Sequence, residues 1–357
     1  METDRSDCNR RQFVRTVTGG LLGAGLSSSC RSWSHPAGQP KSVFDTRGVV
    51  LLSEDLTLED WPERASRAGL TTIALHHQYS PRAVVDAVHS DGGRTFLETC
   101  RELGLEIEYE LHAMKELLPR ELFSKDPSLF RMDDHGQRTP DANLCVHSSD
   151  ALEVVAEHAV ALAESLRPTT SRYFLWGDDG ASWCRCARCR DLLDSDQALI
   201  LENHLWKVLH ELDEDAQLAH LAYGNTLPAP AYLKPERGVF LEYAPIRRRY
   251  DIPYTAQIGM SDGLEMLDAN LKVFRPESAQ VLEYWLDVSR FSNWKRPATR
   301  LPWDREVFFR DLEAYSSRGI RHVTSFAAWV DADYVQRFGE PTFLGEYGAG
   351  LLGRARR

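Results

Sequence analysis

The sequence predicts a single α/β domain folded as a closed (β/α)8 TIM barrel. Three observations carry this. Short β-rich apolar runs alternate with amphipathic stretches from residue 47 onward. There are eight such runs, the number a closed parallel barrel requires. No Gly-rich dinucleotide-binding loop follows the first of them, which sets aside a doubly wound open sheet. The runs fall at 48–52, 71–75, 105–111, 173–176, 217–222, 238–243, 280–285 and 322–329. The helical stretches between them fall at 58–68, 93–103, 151–165, 195–212, 263–274 and 305–317. Two long connections, 119–150 after the third strand and 223–237 after the fifth, leave from strand C-termini, where barrel enzymes keep their sites. The barrel is placed at 45–350.

Residues 1–40 are set apart as a disordered signal and linker. Asn9-Arg10-Arg11-Gln12-Phe13-Val14-Arg15 holds a twin arginine, and a mildly apolar Gly-rich run and then Ser27-Ser28-Ser29-Cys30 follow it. Basic, apolar and small residues in that order read as an export signal of the twin-arginine type, so the chain is expected in the periplasm or at the cell surface. Cys30 is a candidate lipid anchor, although the lipobox-like Leu26 stands one place too far upstream.

The net charge of -11 argues against a nucleic-acid backbone or an anionic membrane as partner. No apolar run outside the N-terminus approaches the ~20 residues of a membrane-spanning helix.

The fourth run ends in FLWGDDGASWCRCARC. Asp178 and Asp179 thus stand at a barrel mouth, and adjacent side chains on an extended chain point to opposite sides. Glycosidic hydrolysis needs a proton donor and a group that stabilises positive charge at the anomeric carbon, roles that two carboxylates in unlike environments can fill. The other strand ends supply His76 and His77, His112, Tyr223, Glu242 and Tyr243, Glu283, Trp285 and Asp287, and Trp329 and Asp331. Acids and aromatics at barrel mouths suit a sugar pocket, so an oligo- or polysaccharide is the expected partner. Three other readings stand beside this one. A hydrolase would pair Asp179 with Glu283 or Glu242; a non-catalytic barrel would only bind carbohydrate; a metal-dependent hydrolase would need His76, His77 and His112 to converge on one ion.

Cys184-x-Cys186-x-x-Cys189 has the spacing of half a structural zinc site, and Cys145 is the natural fourth ligand if its loop folds back over the mouth. A disulfide from Cys145 to one of the three, or free thiols, are the alternatives. Cys100 falls on the apolar face of a helix, a core position. No organic cofactor is expected.

Residues 117–143, LLPRELFSKDPSLFRMDDHGQRTPDAN, followed by Leu144-Cys145-Val146, resemble a stretch of the bacterial barrel family catalogued as domain of unknown function 4838. Further matching features are Asp178-Asp179-Gly180, the Cys184/Cys186/Cys189 cluster, Asn203, and Ala222-Tyr223 with Pro228. Asp126 stands where that pattern has a His. The resemblance covers roughly 45–345, and that family is similar to the hexosaminidase-like barrels of glycoside hydrolase families 20 and 84. It implies that Asp178 orients a 2-acetamido group, that Asp179 is the general acid/base, and that Tyr243, Glu283, Trp285 and Trp329 line the sugar pocket.

Overall fold

The computed structural model describes residues 42–78 and 80–353. Eight parallel strands close on themselves in sequence order. They are β1 (Thr46–Leu52), β2 (Thr72–His76), β3 (Glu106–His112), β4 (Arg172–Trp176), β5 (Gln217–Ala222), β6 (Val239–Tyr243), β7 (Gln280–Glu283) and β8 (His322–Phe326). β1 pairs with both β2 and β8, so no sheet edge is left open. The twin-arginine segment, Cys30 and the linker lie outside the described residues. Among the described residues, no helix is long and apolar enough to cross a membrane.

Helices pack outside the barrel as the alternation requires, and three further ones of seven residues or more join them. Pro81–His89 precedes the helix Asp91–Glu102, and Ala332–Phe338 and Phe343–Leu351 follow β8. The helix at Pro81 starts where the Ser80 side chain accepts from the Ala83 N–H, with Pro at the first helical position. Nine residues give too short a periodic signal to stand out from the sequence. The β5–β6 connection holds no α-helix among its residues. Instead Asn203 fixes it, accepting from the Glu236 N–H at 2.7 Å and donating to the Lys234 carbonyl at 3.0 Å.

Strand alternation decides what fills the barrel. Arg172, Phe174 and Trp176 of β4 face inward, as do Glu108, Glu110 and His112 of β3, Phe240 and Glu242 of β6, and Gln280 and Leu282 of β7. The Arg172 guanidinium lies 3.8 Å from the Phe240 ring centroid, and Phe174 meets Phe240 edge-on. Gln280 donates to Glu110 and to Glu242, each at 3.2 Å. Gly48 is required where β1 crosses this packed interior, since a Cβ there would stand 2.8 Å from Thr324 Cγ2.

Three wholly buried glutamates thus share one buried arginine. Burial pushes Glu242 up to about 8, against hydrogen bonding from Trp176 and the Arg172 charge. It also drives Glu110 well above the usual carboxylate range, with the charge of Glu242 adding to the effect. Folded Glu242 therefore keeps its proton to a higher pH than it does in the unfolded chain. The stability this provides is complete below the unfolded value and is lost as pH rises through about 8. Melting at pH 6.5 and pH 8 should show a loss of roughly 1–2 kcal/mol from this group, and Glu242→Gln should flatten that slope. His76 is pulled down to about 3 by burial, and its opposite contribution falls mainly below the ordinary histidine range. An unchanged slope in Glu242→Gln would mean that Glu242 is ionised inside the barrel.

Candidate functional site

A cavity of about 220 Å³ opens at the C-terminal mouth of the barrel. Its walls come from the ends of most strands. His76, His112 and Trp176 form one side, Tyr223 and Leu221 the next, Tyr284 and Asp287 the third, and Phe326, Ala328 and Trp329 close the ring. Asp179 and Trp294 stand at the rim.

The two histidines that reach the cavity are oriented from behind. His76 Nδ1 donates to the Glu110 carbonyl at 2.6 Å and His112 Nδ1 to the Gly177 carbonyl at 2.7 Å. A carbonyl can only accept, so both rings carry a proton on Nδ1, and burial keeps His76 neutral with Nε2 free to accept. His112 packs edge-on against Trp176, with centroids 5.0 Å apart. His77 does not line the cavity. Its Nδ1 accepts from the Ser80 N–H and its Nε2 lies 3.2 Å from Glu54, because the position after inward-facing His76 turns away from the axis. Among the described residues, His76, His77 and His112 do not form a metal-ligand group.

The adjacent acids separate as alternation requires. Asp179 enters the cavity with its side chain 59% exposed, 3.9 Å from His112 Nε2. Tyr223 stands beside it, and burial together with the Asp179 charge holds the phenol proton well above its usual range. Asp178 turns into the neighbouring loop, where it pairs with Arg120 and accepts from the Asn143 N–H at 2.6 Å. It is absent from the lining of the cavity.

Asp287 is the second carboxylate on the cavity wall, and it is only 5% exposed. Burial pushes it up to about 6, against hydrogen bonds from the Ser289 hydroxyl at 2.6 Å and the Arg290 N–H at 3.1 Å. Both bonds fall on Oδ1.

Glu283, Trp285 and Tyr243, read from the sequence as pocket residues, do not line it. Inward-facing Gln280, Leu282 and Tyr284 force Glu283 and Trp285 to the helix side. There Glu283 bonds Arg248 at 3.0 Å and Tyr250 at 2.9 Å, and Trp285 donates to Asp311 at 3.0 Å. Tyr243 likewise points outward to Tyr254 and the Gly263 carbonyl. Glu242 faces inward but lies beneath the floor, accepting from Trp176 Nε1 at 2.8 Å. Asp331 caps the helix Ala332–Phe338 and pairs with Arg296 at 2.7 Å instead of lining the cavity.

Trp329 does line the cavity, and from a left-handed backbone with φ of 66°. Such strain in a non-glycine residue persists only where surroundings hold it. Here the Asp55 carboxylate accepts the Trp329 N–H at 2.6 Å, and the Arg296 guanidinium lies 4.3 Å from the ring centroid. Asp55, Arg296, Asn143 and Arg120 carry no signal in the sequence, because each acts on a partner far away along the chain.

The four cysteines converge. Cys145, Cys184, Cys186 and Cys189 are buried, with all sulfurs within 4.8 Å of one another. Cys145 Sγ lies 3.8 Å from Cys186 Sγ and 3.9 Å from Cys189 Sγ. Four thiolates about 2.3 Å from a tetrahedral ion stand ~3.8 Å apart, whereas a disulfide brings sulfurs to ~2 Å. The Met132 N–H donates to Cys184 Sγ at 3.3 Å, and the Arg138 guanidinium approaches the same sulfur at 3.8 Å. N–H donors and a cation around a thiolate set offset the excess negative charge of such a centre. The cluster can hold a metal ion. Cys100 lies apart and wholly buried, its thiol pushed up to about 12 by burial.

A family model described as "Domain of unknown function (DUF4838)" matches residues 52–288. No curated protein matches the sequence. Among solved structures, a β-galactosidase from Rahnella sp. R3 is 14% identical, with 88% of this chain and 57% of that one covered and a TM-score of 0.55. Gan42B, a GH42 β-galactosidase from G. stearothermophilus, is 14% identical over 87% of this chain and 57% of that one, with a TM-score of 0.54. A β-N-acetylhexosaminidase from Bacteroides fragilis NCTC 9343 is 12% identical over 85% of this chain and 65% of that one, with a TM-score of 0.51. The chain spans less than two thirds of the length of each. At these identities the likeness shows the fold alone, a (β/α)8 TIM barrel.

Proposed function

This chain belongs to the DUF4838 family, and from that premise we propose that it hydrolyses glycosidic bonds in the cavity at the barrel mouth. One observation carries the reading: the cavity wall holds two carboxylates in unlike environments, half-exposed Asp179 and buried Asp287, among aromatic rings. Such a pair suits acid-assisted departure of an alcohol from a sugar, with the buried group supplying the proton and the solvated one facing the anomeric carbon or its attacking water. Trp176, Tyr223, Tyr284 and Trp329 offer ring faces to the sugar, and His76 and His112 offer Nε2 to its hydroxyls. The proton donor is thereby assigned to Asp287, while Asp178 positions the turn that carries Asp179. Glu283 has no contact with substrate in this scheme.

The test is a panel of aryl glycosides, N-acetylhexosaminides, galactosides and glucuronides among them, with wild type and Asp179→Asn. Turnover of one class that falls at least ~10²-fold in the variant is the expected result. Saturable sugar binding by the wild type without any turnover would replace the enzyme with a carbohydrate-binding barrel. The reaction is placed outside the cytoplasm on the strength of Arg10-Arg11 and the apolar run after it.

The cysteine cluster is read as a structural zinc centre, its four sulfurs the ligands. Four thiolates leave no open position, so its contribution is to tie loops together and not to activate water. Elemental analysis of purified protein should find about one zinc per chain; its absence would leave four free thiols.

A further inference from the structure

The four-cysteine cluster and the cavity acid are built from the same two loops. The β3–β4 connection brings Arg120, Asn143 and Cys145. The exit of β4 brings Asp178, Asp179 and the remaining three cysteines. Between them sits Asn143, wholly buried and in the left-handed region at φ 41°. Its N–H donates to Asp178 Oδ2 at 2.6 Å, and its Oδ1 accepts from the Asp178 N–H at 2.9 Å. Its Nδ2 donates to the Ser182 carbonyl at 3.1 Å. The Arg120 guanidinium closes the knot by donating to the Asn143 carbonyl at 3.2 Å while pairing with Asp178.

This staple leaves the turn little freedom. Gly177 packs under Asn143 so closely that a Cβ would lie 3.0 Å from Asn143 Oδ1, and its carbonyl holds His112. Cys145 follows Asn143 by two residues, and Cys184 follows Ser182 by two. The metal-ligand set therefore stands at one end of the staple and Asp179 at the other.

We infer that a metal ion held by Cys145, Cys184, Cys186 and Cys189 keeps Asn143 seated on Asp178, and thereby sets where Asp179 points. Asn143 is the positioning residue that couples the cluster to the cavity. The inference rests on the role proposed for Asp179 and on the zinc reading, and its test separates all three.

Amide hydrogen exchange is measured on the full chain, zinc-loaded and chelator-stripped, and on Asn143→Gly. Glycine at this position keeps the left-handed backbone and deletes only the side-chain bonds. Stripping should speed exchange in segments 141–147 and 177–183 by at least ~10-fold while the strands stay protected, the behaviour of a local opening. Asn143→Gly should retain its zinc yet show the same acceleration in 177–183, with turnover of the responsive glycoside reduced about 10-fold. Cys186→Ser should lose zinc and Asp179 placement together. Unchanged exchange in 177–183 on stripping, or in Asn143→Gly, overturns the coupling. So does a purified chain that binds no zinc. If wild type turns over no glycoside, the hydrolase reading fails while the exchange data still decide the coupling.

Discussion

Asp287→Asn is expected to lower turnover by at least ~10²-fold and to remove the falling limb of the pH–rate profile centred near the Asp287 value of about 6. Asp287 is buried against the cavity wall, so its proton is retained further into the neutral range than that of a solvated carboxylate. A donor is needed while protonated, so kcat/KM should decline as pH rises through that value. Asparagine keeps both structural bonds, because its carbonyl oxygen can still accept from Ser289 and from the Arg290 N–H at the helix start. The fold should therefore survive and the loss report chemistry. Leaving groups sort the outcome further. Aryl glycosides that expel a stable phenolate need little protonation and should lose far less than alkyl glycosides. An equal loss for both would mean that Asp287 binds sugar and donates no proton.

Arg248→Met is expected to reduce stability by ~3–5 kcal/mol, the size of effect seen when one partner of a buried ion pair is removed. Arg248 is wholly buried, 3.0 Å from Glu283 and 2.7 Å from Asp311, and it lies 4.0 Å from the centroid of Tyr250. Methionine fills much of the volume but leaves two carboxylates uncompensated. In a chain of this size the melting temperature should drop by roughly 4–7 °C. Glu283→Gln tests the same cluster from its other end. Its activity per folded molecule should stay close to wild type, because Glu283 faces the helices. A ~10²-fold loss of turnover at an unchanged melting temperature would instead make Glu283 the catalytic acid that its place after a barrel strand suggests.

The contrast between Glu283 and Asp287 shows how far the residues themselves could be read. Both stand at the end of the seventh apolar run. The apolar run spans 280–285, but β7 ends at Glu283. With Gln280 inward, alternation sends Glu283 out. Asp287 then caps the short helix Val288–Phe291 and returns to the cavity wall. A period of two makes every pocket assignment depend on a phase that one residue inverts. Composition around a strand end cannot supply that phase, since Glu283, Tyr284 and Trp285 are all acceptable on either side. The same holds at β6, where Glu242 and Tyr243 face opposite ways.

Local patterning was enough to read the barrel, the order of its strands and the four cysteines that converge. These follow from local alternation of apolar runs and from residue spacing, which short-range physics reads directly. Which acid of each neighbouring set lines the cavity, and which distant groups hold the other side chains in place, became fixed only on folding. Asn143 and Arg120 act on Asp178, Asp55 acts on Trp329, and Arg248 acts on Glu283. Each bond joins segments that lie between 35 and 274 residues apart and become neighbours only once the barrel has closed.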